Sequence, residues 1–114
     1  MTEAPRLLYL LLPADEAARV CSSAFFTTPS LETEGFIHAS RSLAQALRVA
    51  NRKFAATPYL AALVVDRSRV ASPIRDEWAK DAEPFPHIYG PLNTDAITEV
   101  VHLKRDGLGK FVAP

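Results

Sequence analysis

The sequence has little cysteine, no excess of either charge and no long apolar stretch near its N-terminus, and each scarcity excludes a class of protein. The single cysteine, Cys21, cannot form an internal disulfide, which fits a reducing compartment. Thirteen basic and thirteen acidic side chains cancel, so composition gives no signal for nucleic acid or an acidic membrane. The apolar run from Leu7 to Leu12 is far shorter than the ~20 residues of a membrane-spanning helix, and its flanks lack the features of a cleavable leader. We therefore expect a cytoplasmic protein with no membrane partner and find no clear signal for nucleic acid.

Glycine is also scarce, and none of the four glycines forms a phosphate-binding loop. The patterns G-x-x-x-x-G-K and G-x-G-x-x-G are missing, as is the G-x-S-x-G elbow of hydrolases. The histidines and the lone cysteine do not stand at zinc-binding spacing, and a metal site of His38, His87 and Glu77 would be an unusual assembly. We expect no metal, and any ligand site must come from side chains that meet only in the folded chain.

Length and composition indicate a single domain of mixed short elements. The 114 residues fall in the usual range of one domain, and 48% apolar with 23% charged residues suffice for an ordinary core. Nine prolines, most of them at the ends of apparent elements, favour many short elements over a helical bundle. Because too little helix is predicted for each strand pair to have its own crossover, we expect an α+β domain over residues 1–114 with a mixed, mainly antiparallel sheet.

Apolar runs and turn residues predict the individual elements. Arg6–Leu12, which is apolar from Leu7 onward, is interpreted as a strand buried on both faces, and Leu60–Val65 is interpreted as a central strand. The remaining predictions are a short helix after Pro13, a loop over Ser22–Thr33 anchored by Phe25 and Phe26, a weaker segment Ile74–Trp78, a charged loop through Glu83, a helical turn over Thr94–Ile97 capped by Thr94 or Asn93, a last strand Val100–Leu103 and a loose tail over residues 107–114.

The stretch Glu34–Ser40 organises the rest of the chain because a short strand there leads directly into the best-supported helix. Within it, Phe36 and His38 alternate onto one face of the strand. Ser42 and Gln45 follow at the spacing of a capping box, in which the serine oxygen accepts from the third amide and the glutamine reaches back. Apolar residues then recur at helical spacing as far as Phe54, which predicts an α-helix with one apolar stripe.

A second segment, Phe85–Asn93, is rich in turn residues and is expected to meet the first stretch in space. His38, directly before a helix start, is a candidate phosphate ligand or general base, the alternative being a core histidine bonded to a backbone carbonyl. His87 shares a face with Tyr89 if the backbone is extended, and the pair is a second candidate. Glu77 is a candidate acid, base or acceptor beside either histidine, the alternative being a solvated carboxylate.

Other polar and aromatic side chains have simpler interpretations. Ser40 and Ser42 are helix caps first and ligand donors second. Trp78 is either half-buried or stacked on a ligand ring. His102 alternates with apolar residues in the last strand and is interpreted as an outward-facing residue.

Three segments carry a family resemblance: E-G-F-I-H-A-S at residues 34–40, V-A-N-R at 49–52 and F-P-H-I-Y-G-P-L-N at 85–93. By these motifs the chain resembles an uncharacterised bacterial and fungal family catalogued as domain of unknown function 952, over about Tyr9 to Val101. That family is in turn distantly similar to the ADP-ribosyltransferase fold. It resembles in particular the RNA 2′-phosphotransferase branch, in which a V-H-L-S segment leads into a helix.

The resemblance implies a split, mixed sheet with a cleft that in relatives holds NAD⁺ or an ADP-ribose-like group. It implies that Gly35–His38 matches the second motif of such enzymes and that Glu77, or His87 with Tyr89, lies near the third. Members of the family usually carry a histidine directly after the tyrosine of the first strand, where this chain has Leu10. That departure implies altered or lost transferase catalysis.

Three functions remain open from the sequence. The leading hypothesis is a polar cleft that binds an NAD-like, ADP-ribose-like or phosphorylated small molecule, with His38 or His87 as acid or base and Glu77 as charge partner if catalysis is retained. The side chains expected to hold the ligand are Ser40, Asn51, Arg75 and Tyr89. The second hypothesis is a non-catalytic ligand-sensing or protein-interaction module. The third is a small hydrolase or isomerase that uses His87 and Glu77 within hydrogen-bond reach. The oligomeric state stays open.

Overall fold

Short strands dominate the fold, and the computed structural model describes residues 5–78 and 83–114. In chain order the strands are β1 (Leu7–Pro13), β2 (Phe25–Phe26), β3 (Ile37–His38), β4 (Leu60–Asp66), β5 (Ile74–Trp78), β6 (Pro84–Ile88), β7 (Leu92–Asn93), β8 (Ile97–His102), β9 (Lys104–Arg105) and β10 (Phe111–Val112). The helices are α1 (Ala14–Val20), α2 (Pro29–Thr33) and α3 (Leu43–Lys53), with 3₁₀ turns at Arg67–Arg69 and Thr94–Ala96. This mixture confirms the predicted α+β single domain.

Strand β4 is the centre of the first sheet, between β1 and β8 and antiparallel to both. Each of its seven residues is buried, as expected for a central strand. Leu63 packs in a core cluster with Ala17 of α1, whereas Leu60 packs in a second cluster with Ala50 of α3. Both faces of β4 are therefore covered, and the prediction of a central strand is confirmed.

The edge strand β1 alternates in burial, so the prediction that both of its faces are buried is wrong. Leu8, Leu10 and Leu12 are buried in the core cluster that includes α1. Tyr9 and Leu11, which lie between them, are half-buried and border a pocket. Because side chains alternate along a strand, β1 separates the core on one face from the pocket on the other.

The second sheet has the order β3-β6-β5 and meets the first at a single bridge. The Tyr9 amide donates to the Ser40 carbonyl at 2.9 Å, and the Ser40 amide donates to the Tyr9 carbonyl at 2.8 Å. Every strand pairing within residues 5–78 and 83–114 is antiparallel. In place of the one predicted sheet, the described residues form two three-stranded antiparallel sheets on either side of this bridge, and β2–β7 and β9–β10 form separate two-stranded sheets.

Helix α3 begins with the predicted capping interaction, with one change of partner. The Ser42 hydroxyl accepts from the Gln45 amide at 3.0 Å, while Gln45 Oε1 accepts from the amide of Arg41, not of Ser42, at 2.8 Å. The Gln45 amide nitrogen Nε2 also donates to the Pro84 carbonyl at 3.1 Å. Gln45 is 1% exposed, so this one buried side chain attaches the start of β6 to the start of α3.

The segment Ser22–Thr33, predicted as a loop, contains strand β2 and helix α2 instead. Pro29 is the first residue of α2, a position where its missing N–H and fixed φ are favourable. Strand β2 pairs with β7. Phe26 packs against the core as expected for an anchor, but Phe25 is 61% exposed and does not anchor the segment.

The prediction of a loose tail over residues 107–114 is wrong, because β10 pairs with β9 inside that segment. Phe111 is 2% exposed, and the Arg105 guanidinium lies over its ring at 4.0 Å. Asn51 of α3 binds the Phe111 backbone twice: Nδ2 donates to its carbonyl at 3.1 Å, and Oδ1 accepts from its amide at 2.7 Å. A side-chain amide thus supplies the partner that an adjacent strand would otherwise provide.

Three smaller predictions have outcomes of their own. The helical turn near residue 94 is the 3₁₀ turn Thr94–Ala96, whose N-cap residue is Asn93, although the Asn93 side chain does not cap it. His102 is exposed on β8, as expected for an outward-facing residue. Of the charged loop through Glu83, residues 79–82 lie outside the described residues. Among the helices of the described ranges, none is long and apolar enough to cross a membrane.

Candidate functional site

Strand pairing brings the two predicted segments together, as expected from their sequences. In the register of β3 and β6, His38 lies directly opposite His87, and the next strand, β5, places Arg75 opposite His87. Residues directly opposite each other in an antiparallel pair have side chains on the same face. Glu77 lies two residues beyond Arg75 on that same face, so the candidate side chains share one surface of the second sheet.

His87 is held by a carboxylate that also accepts from a tyrosine. Its Nδ1 lies 3.0 Å from Glu77 Oε1, and the Tyr89 hydroxyl donates to the same oxygen. An ionised carboxylate only accepts, so His87 must donate through Nδ1–H, which leaves Nε2 as the acceptor of the neutral ring. The hydrogen bond from Tyr89, followed by that from His87, holds the pKa of Glu77 below its ordinary value, and the same bond raises the pKa of Tyr89.

His38 has a carboxylate partner of its own, bound through the other type of ring nitrogen. Its Nε2 lies 2.9 Å from Glu34 Oε2, and this hydrogen bond, together with the charge of His38, lowers the pKa of Glu34. Gly35 has φ of +89°, a conformation that favours glycine, and it turns the chain between Glu34 and the strand. Both side chains are about half exposed, at 48% and 50%, so the alternative interpretation of His38 as a core histidine bonded to a backbone carbonyl does not apply.

The Phe36 ring contacts both imidazoles, and the three rings form one cluster. It stacks on His87 with ring centroids 4.0 Å apart and an angle of 16°, and it meets His38 edge-on at 4.9 Å. The two histidine rings are 5.4 Å apart and nearly perpendicular, at 75°. Aromatic stacking of this kind contributes on the order of 0.5–1.5 kcal/mol and restricts ring orientation. Phe36 therefore fixes both imidazoles relative to each other.

A pocket of about 340 Å³ opens beside these histidines, at the split between the two sheets. Its walls are mainly apolar and aromatic, with Tyr9, Phe54, Trp78 and Phe85 as the aromatic members. Its volume falls within the ~300–1,000 Å³ that small-molecule sites usually have. The pocket is thus large enough for a small molecule that carries a planar ring.

Polar and charged side chains border the same pocket at separate points. They are His38, Ser40, Arg52, Lys53 and His87. The two cations occupy the last turn of α3, and Ser40 is 4% exposed at the bridge between the sheets. At the start of α3 the Ser42 hydroxyl accepts from the Gln45 amide, and the Arg41 amide just before the helix donates to Gln45 Oε1, so these two amides are not available to an anion. Positive charge near the pocket therefore comes from the opposite end of α3.

The predicted site residues divide into three groups. His38, His87 and Ser40 border the pocket. Glu77 does not line the pocket but is hydrogen-bonded to both His87 and Tyr89, and Tyr89 also lies outside the lining. The Arg75 guanidinium lies over the Tyr89 ring at 5.3 Å, also outside the pocket lining. Asn51, predicted to orient a ligand, has both groups of its amide bound to the Phe111 backbone. Asn51 therefore supports the tail.

Lys53 and Phe54 line the pocket but are not among the site residues predicted from the sequence, whereas Phe85 lies at the start of the predicted segment Phe85–Asn93. Phe54 had been assigned to the apolar stripe of α3, and it does pack in the core cluster of that helix while also bordering the pocket. Lys53 stands in the last turn of a capped helix, where a cation is expected for helix stability alone. Only the family segment V-A-N-R at 49–52 pointed towards this end of the helix.

Leu10, which stands where the family resemblance implies a histidine, does not face the pocket. It is 2% exposed and packs in the core cluster with Leu63 and Ile37, on the face of β1 opposite to Tyr9. On this backbone a histidine at position 10 would lie in the apolar core. Within the two described ranges, no group of three or more histidine, cysteine, aspartate or glutamate side chains is arranged to hold a metal ion.

Glu77→Gln is expected to reduce the acid sensitivity of the fold. The folded-state pKa of Glu77 lies below its ordinary value of 4.5, so the carboxylate stabilises the fold above that pH. This stabilisation is lost as the pH falls through the folded-state pKa. Denaturant unfolding at about pH 7 and about pH 3 should therefore show a smaller loss of stability for Glu77→Gln than for the wild type.

Tyr89→Phe is the matched control for this effect, because it removes the larger of the two hydrogen bonds and leaves the carboxyl in place. Its acid-induced loss should lie between those of the wild type and Glu77→Gln. An identical acid-induced loss in all three proteins would contradict the role of the Glu77 hydrogen bonds.

The protein is therefore a small α+β domain in which two antiparallel sheets place a histidine–carboxylate pair beside an aromatic pocket. The chain belongs to the family described as "Protein of unknown function (DUF952)", which it matches over residues 11–100. The family prediction is thereby confirmed, close to its expected range. None of the curated proteins matches the chain.

Solved structures of protein CC0527 from Caulobacter crescentus are similar to this fold. The crystal structure has a TM-score of 0.80 and 26% sequence identity and covers 93% of each chain. A crystal structure of a double mutant of CC0527 has a TM-score of 0.79 at the same identity and coverage. The solution NMR structure has a TM-score of 0.76, with 92% of this chain and 90% of that chain covered. The similarity to CC0527 therefore extends over most of the α+β domain.

Proposed function

We propose that the pocket binds a small molecule with a planar ring and an anionic group, of the nucleotide-like or ADP-ribose-like kind. The observation that carries this proposal is the position of His87: its ring borders an aromatic pocket while Glu77, 3.0 Å from Nδ1, holds the opposite edge of the ring. Nε2 of that ring has no hydrogen-bond partner within residues 5–78 and 83–114. In the neutral ring this nitrogen can therefore accept a hydrogen bond from a bound ligand.

The aromatic walls suit the planar part of such a ligand. Trp78 is 72% exposed at the end of β5 and Phe85 is half-buried at the start of β6, and both border the pocket. A large exposed aromatic ring beside a pocket is an available stacking surface, and stacking is worth on the order of 1–3 kcal/mol per base in nucleic-acid sites. Tyr9 and Phe54 supply further aromatic surface.

The charged rim suits the anionic part. Lys53 and Arg52 border the pocket on the α3 side, and the histidines border it on the sheet side. A phosphate between them would meet an ammonium, a guanidinium and imidazole N–H donors, which are the side chains that commonly bind phosphate. The similarity to the ADP-ribosyltransferase fold implied by the sequence motifs agrees with this class of ligand, and it forms part of the proposal.

Ligand-induced stabilisation tests the proposal directly. NAD⁺, ADP-ribose and AMP are titrated to millimolar concentration while the unfolding temperature Tm is measured. A ligand at 100 times its Kd adds ~2.7 kcal/mol to the free energy of unfolding, which raises the Tm of a domain of this size by several degrees. We expect such a shift for at least one of the three ligands.

Variants locate the binding to the pocket. His87→Ala and Lys53→Ala are expected to reduce the shift, whereas His102→Ala is the matched control, since His102 is exposed on β8 and does not line the pocket. No shift with any ligand would count against the proposal. If His38→Ala and His87→Ala lower stability but leave the ligand shifts unchanged, both histidines have a structural role, and a non-catalytic interaction module becomes the better description.

A further inference from the structure

We propose that His38 and His87 act as an acid–base pair that hydrolyses a phosphodiester bound in this pocket. The inference rests on the proposed function, because the substrate would occupy the same pocket, and it adds a reaction and a substrate class. The observation behind it is that the pocket has two histidine–carboxylate pairs and not one. Two imidazoles border one pocket with ring centroids 5.4 Å apart, and each is bound to a different carboxylate.

The two rings are bound through opposite nitrogens. His38 uses Nε2 towards Glu34, and His87 uses Nδ1 towards Glu77. In the part of the chain that the structure describes, neither His38 Nδ1 nor His87 Nε2 has a hydrogen-bond partner. Each histidine thus keeps one nitrogen for a substrate, as a lone pair when the ring is neutral and as an N–H donor when it is protonated.

Unequal exposure assigns the two roles. The His87 side chain is 15% exposed and is fixed by Glu77 and by stacking on Phe36, which suits a base that must remain oriented. The His38 side chain is 48% exposed, so it exchanges protons readily with solvent and suits the acid. The active form is therefore the one in which His87 is neutral and His38 carries the proton.

Phosphodiester hydrolysis needs both functions in one place. Neutral His87 removes a proton from water as the water oxygen forms a bond to phosphorus, and protonated His38 gives its proton to the alkoxide oxygen as the bond from phosphorus to that oxygen breaks. The products are a phosphomonoester and an alcohol. His87 then releases its proton to solvent and His38 takes one up, so the net reaction consumes one water and restores both rings.

The surroundings of the pair favour a phosphodiester over a neutral ester. Lys53 and Arg52 border the pocket and provide positive charge for the phosphoryl oxygens, whose charge must be stabilised as the attacking and leaving oxygens align. The aromatic walls accommodate a ring on one side of the phosphate. A 2′,3′-cyclic nucleotide has both features in a molecule small enough for about 340 Å³.

Turnover of two probes tests the inference: a 2′,3′-cyclic mononucleotide and bis(4-nitrophenyl) phosphate. We expect hydrolysis by the wild type with a bell-shaped dependence of kcat/KM on pH, because low pH protonates the base and high pH deprotonates the acid. His38→Ala and His87→Ala should each lower kcat by roughly 10²–10⁴-fold. His87→Ala should remove the acidic limb of the profile and His38→Ala the alkaline limb. His102→Ala should match the wild type.

Two further measurements guard against variants that fold poorly. Glu34→Gln and Glu77→Gln keep both histidines and should lower kcat more than they raise KM, since each removes only the partner that orients a ring. Added imidazole should partly restore turnover by His38→Ala, because that site is half exposed. Ligand-induced Tm shifts without turnover of either probe by the wild type would overturn this inference and leave the proposed binding intact. Equal turnover by wild type, His38→Ala and His87→Ala would also overturn it.

Discussion

Leu10→His is expected to lower the free energy of unfolding by roughly 2–5 kcal/mol. This is the range for the loss of a buried leucine side chain from a packed core, and burial of an unpartnered polar group acts in the same direction. Leu10 is 2% exposed and packs in the main core cluster with Leu63 and Ile37. The substitution removes this packing and buries an imidazole among aliphatic side chains that offer no hydrogen-bond partner. Denaturant unfolding at neutral pH, with linear extrapolation, measures the change.

Leu7→His is the matched control on the same strand. Leu7 is 37% exposed at the start of β1, so the same chemical change there should alter the free energy of unfolding by only about 0.5 kcal/mol. If Leu10→His were as stable as Leu7→His, or if it strengthened ligand binding, position 10 would have to face the pocket. The histidine that the family resemblance implies at this position would then be a site residue that this chain lacks.

Gln45→Ala is expected to lower the free energy of unfolding by roughly 2–4 kcal/mol, because two backbone groups lose their partner at once. The Arg41 amide would lose Gln45 Oε1, and the Pro84 carbonyl would lose Gln45 Nε2. The residue is 1% exposed, so water does not readily replace these bonds. Denaturant unfolding gives the magnitude, and hydrogen exchange at the Arg41 amide should show faster opening.

Gln45→Glu separates the two bonds. A carboxylate still accepts from the Arg41 amide, but it cannot donate to the Pro84 carbonyl, so the two acceptors repel each other. Arg48→Ala, on the exposed face of the same helix, is the control for α3 and should change stability by less than about 1 kcal/mol. If Gln45→Ala and Arg48→Ala were equally stable, Gln45 would not be the link between α3 and β6.

The elements that were predicted correctly share one property: the residues within each element are sufficient to indicate its secondary structure. Strand β4 is a continuous apolar run, and α3 has a Ser42 and Gln45 cap followed by an apolar stripe, so local preference and tertiary burial agree. The strand pair β9 and β10 was missed because Phe111 is held by Asn51 and Arg105, from other elements. No local pattern around residue 111 indicates those contacts.

The candidate site follows the same division. The two-residue alternation of extended chain predicts that Phe36 and His38 share one face. It predicts the same for His87 and Tyr89. It does not predict the carboxylate partners of the histidines: Glu34 reaches His38 through a glycine turn, and Glu77 reaches His87 from an adjacent strand. The pocket lining also combines β1, α3, β5 and β6, which no single stretch of sequence brings together.

The sequence by itself determined the α+β class, the family, the central strand, the capped helix and the two segments that meet at the site, since each depends on residues that are neighbours along the chain. Only the tertiary structure decided what Glu34–Ser40 contributes to that site. Strand pairing set His38 opposite His87, and the Tyr9–Ser40 bridge set the pocket at the split between the sheets. Strand register and sheet contact join residues far apart in sequence, and that is why the chemistry of this stretch depends on the folded chain.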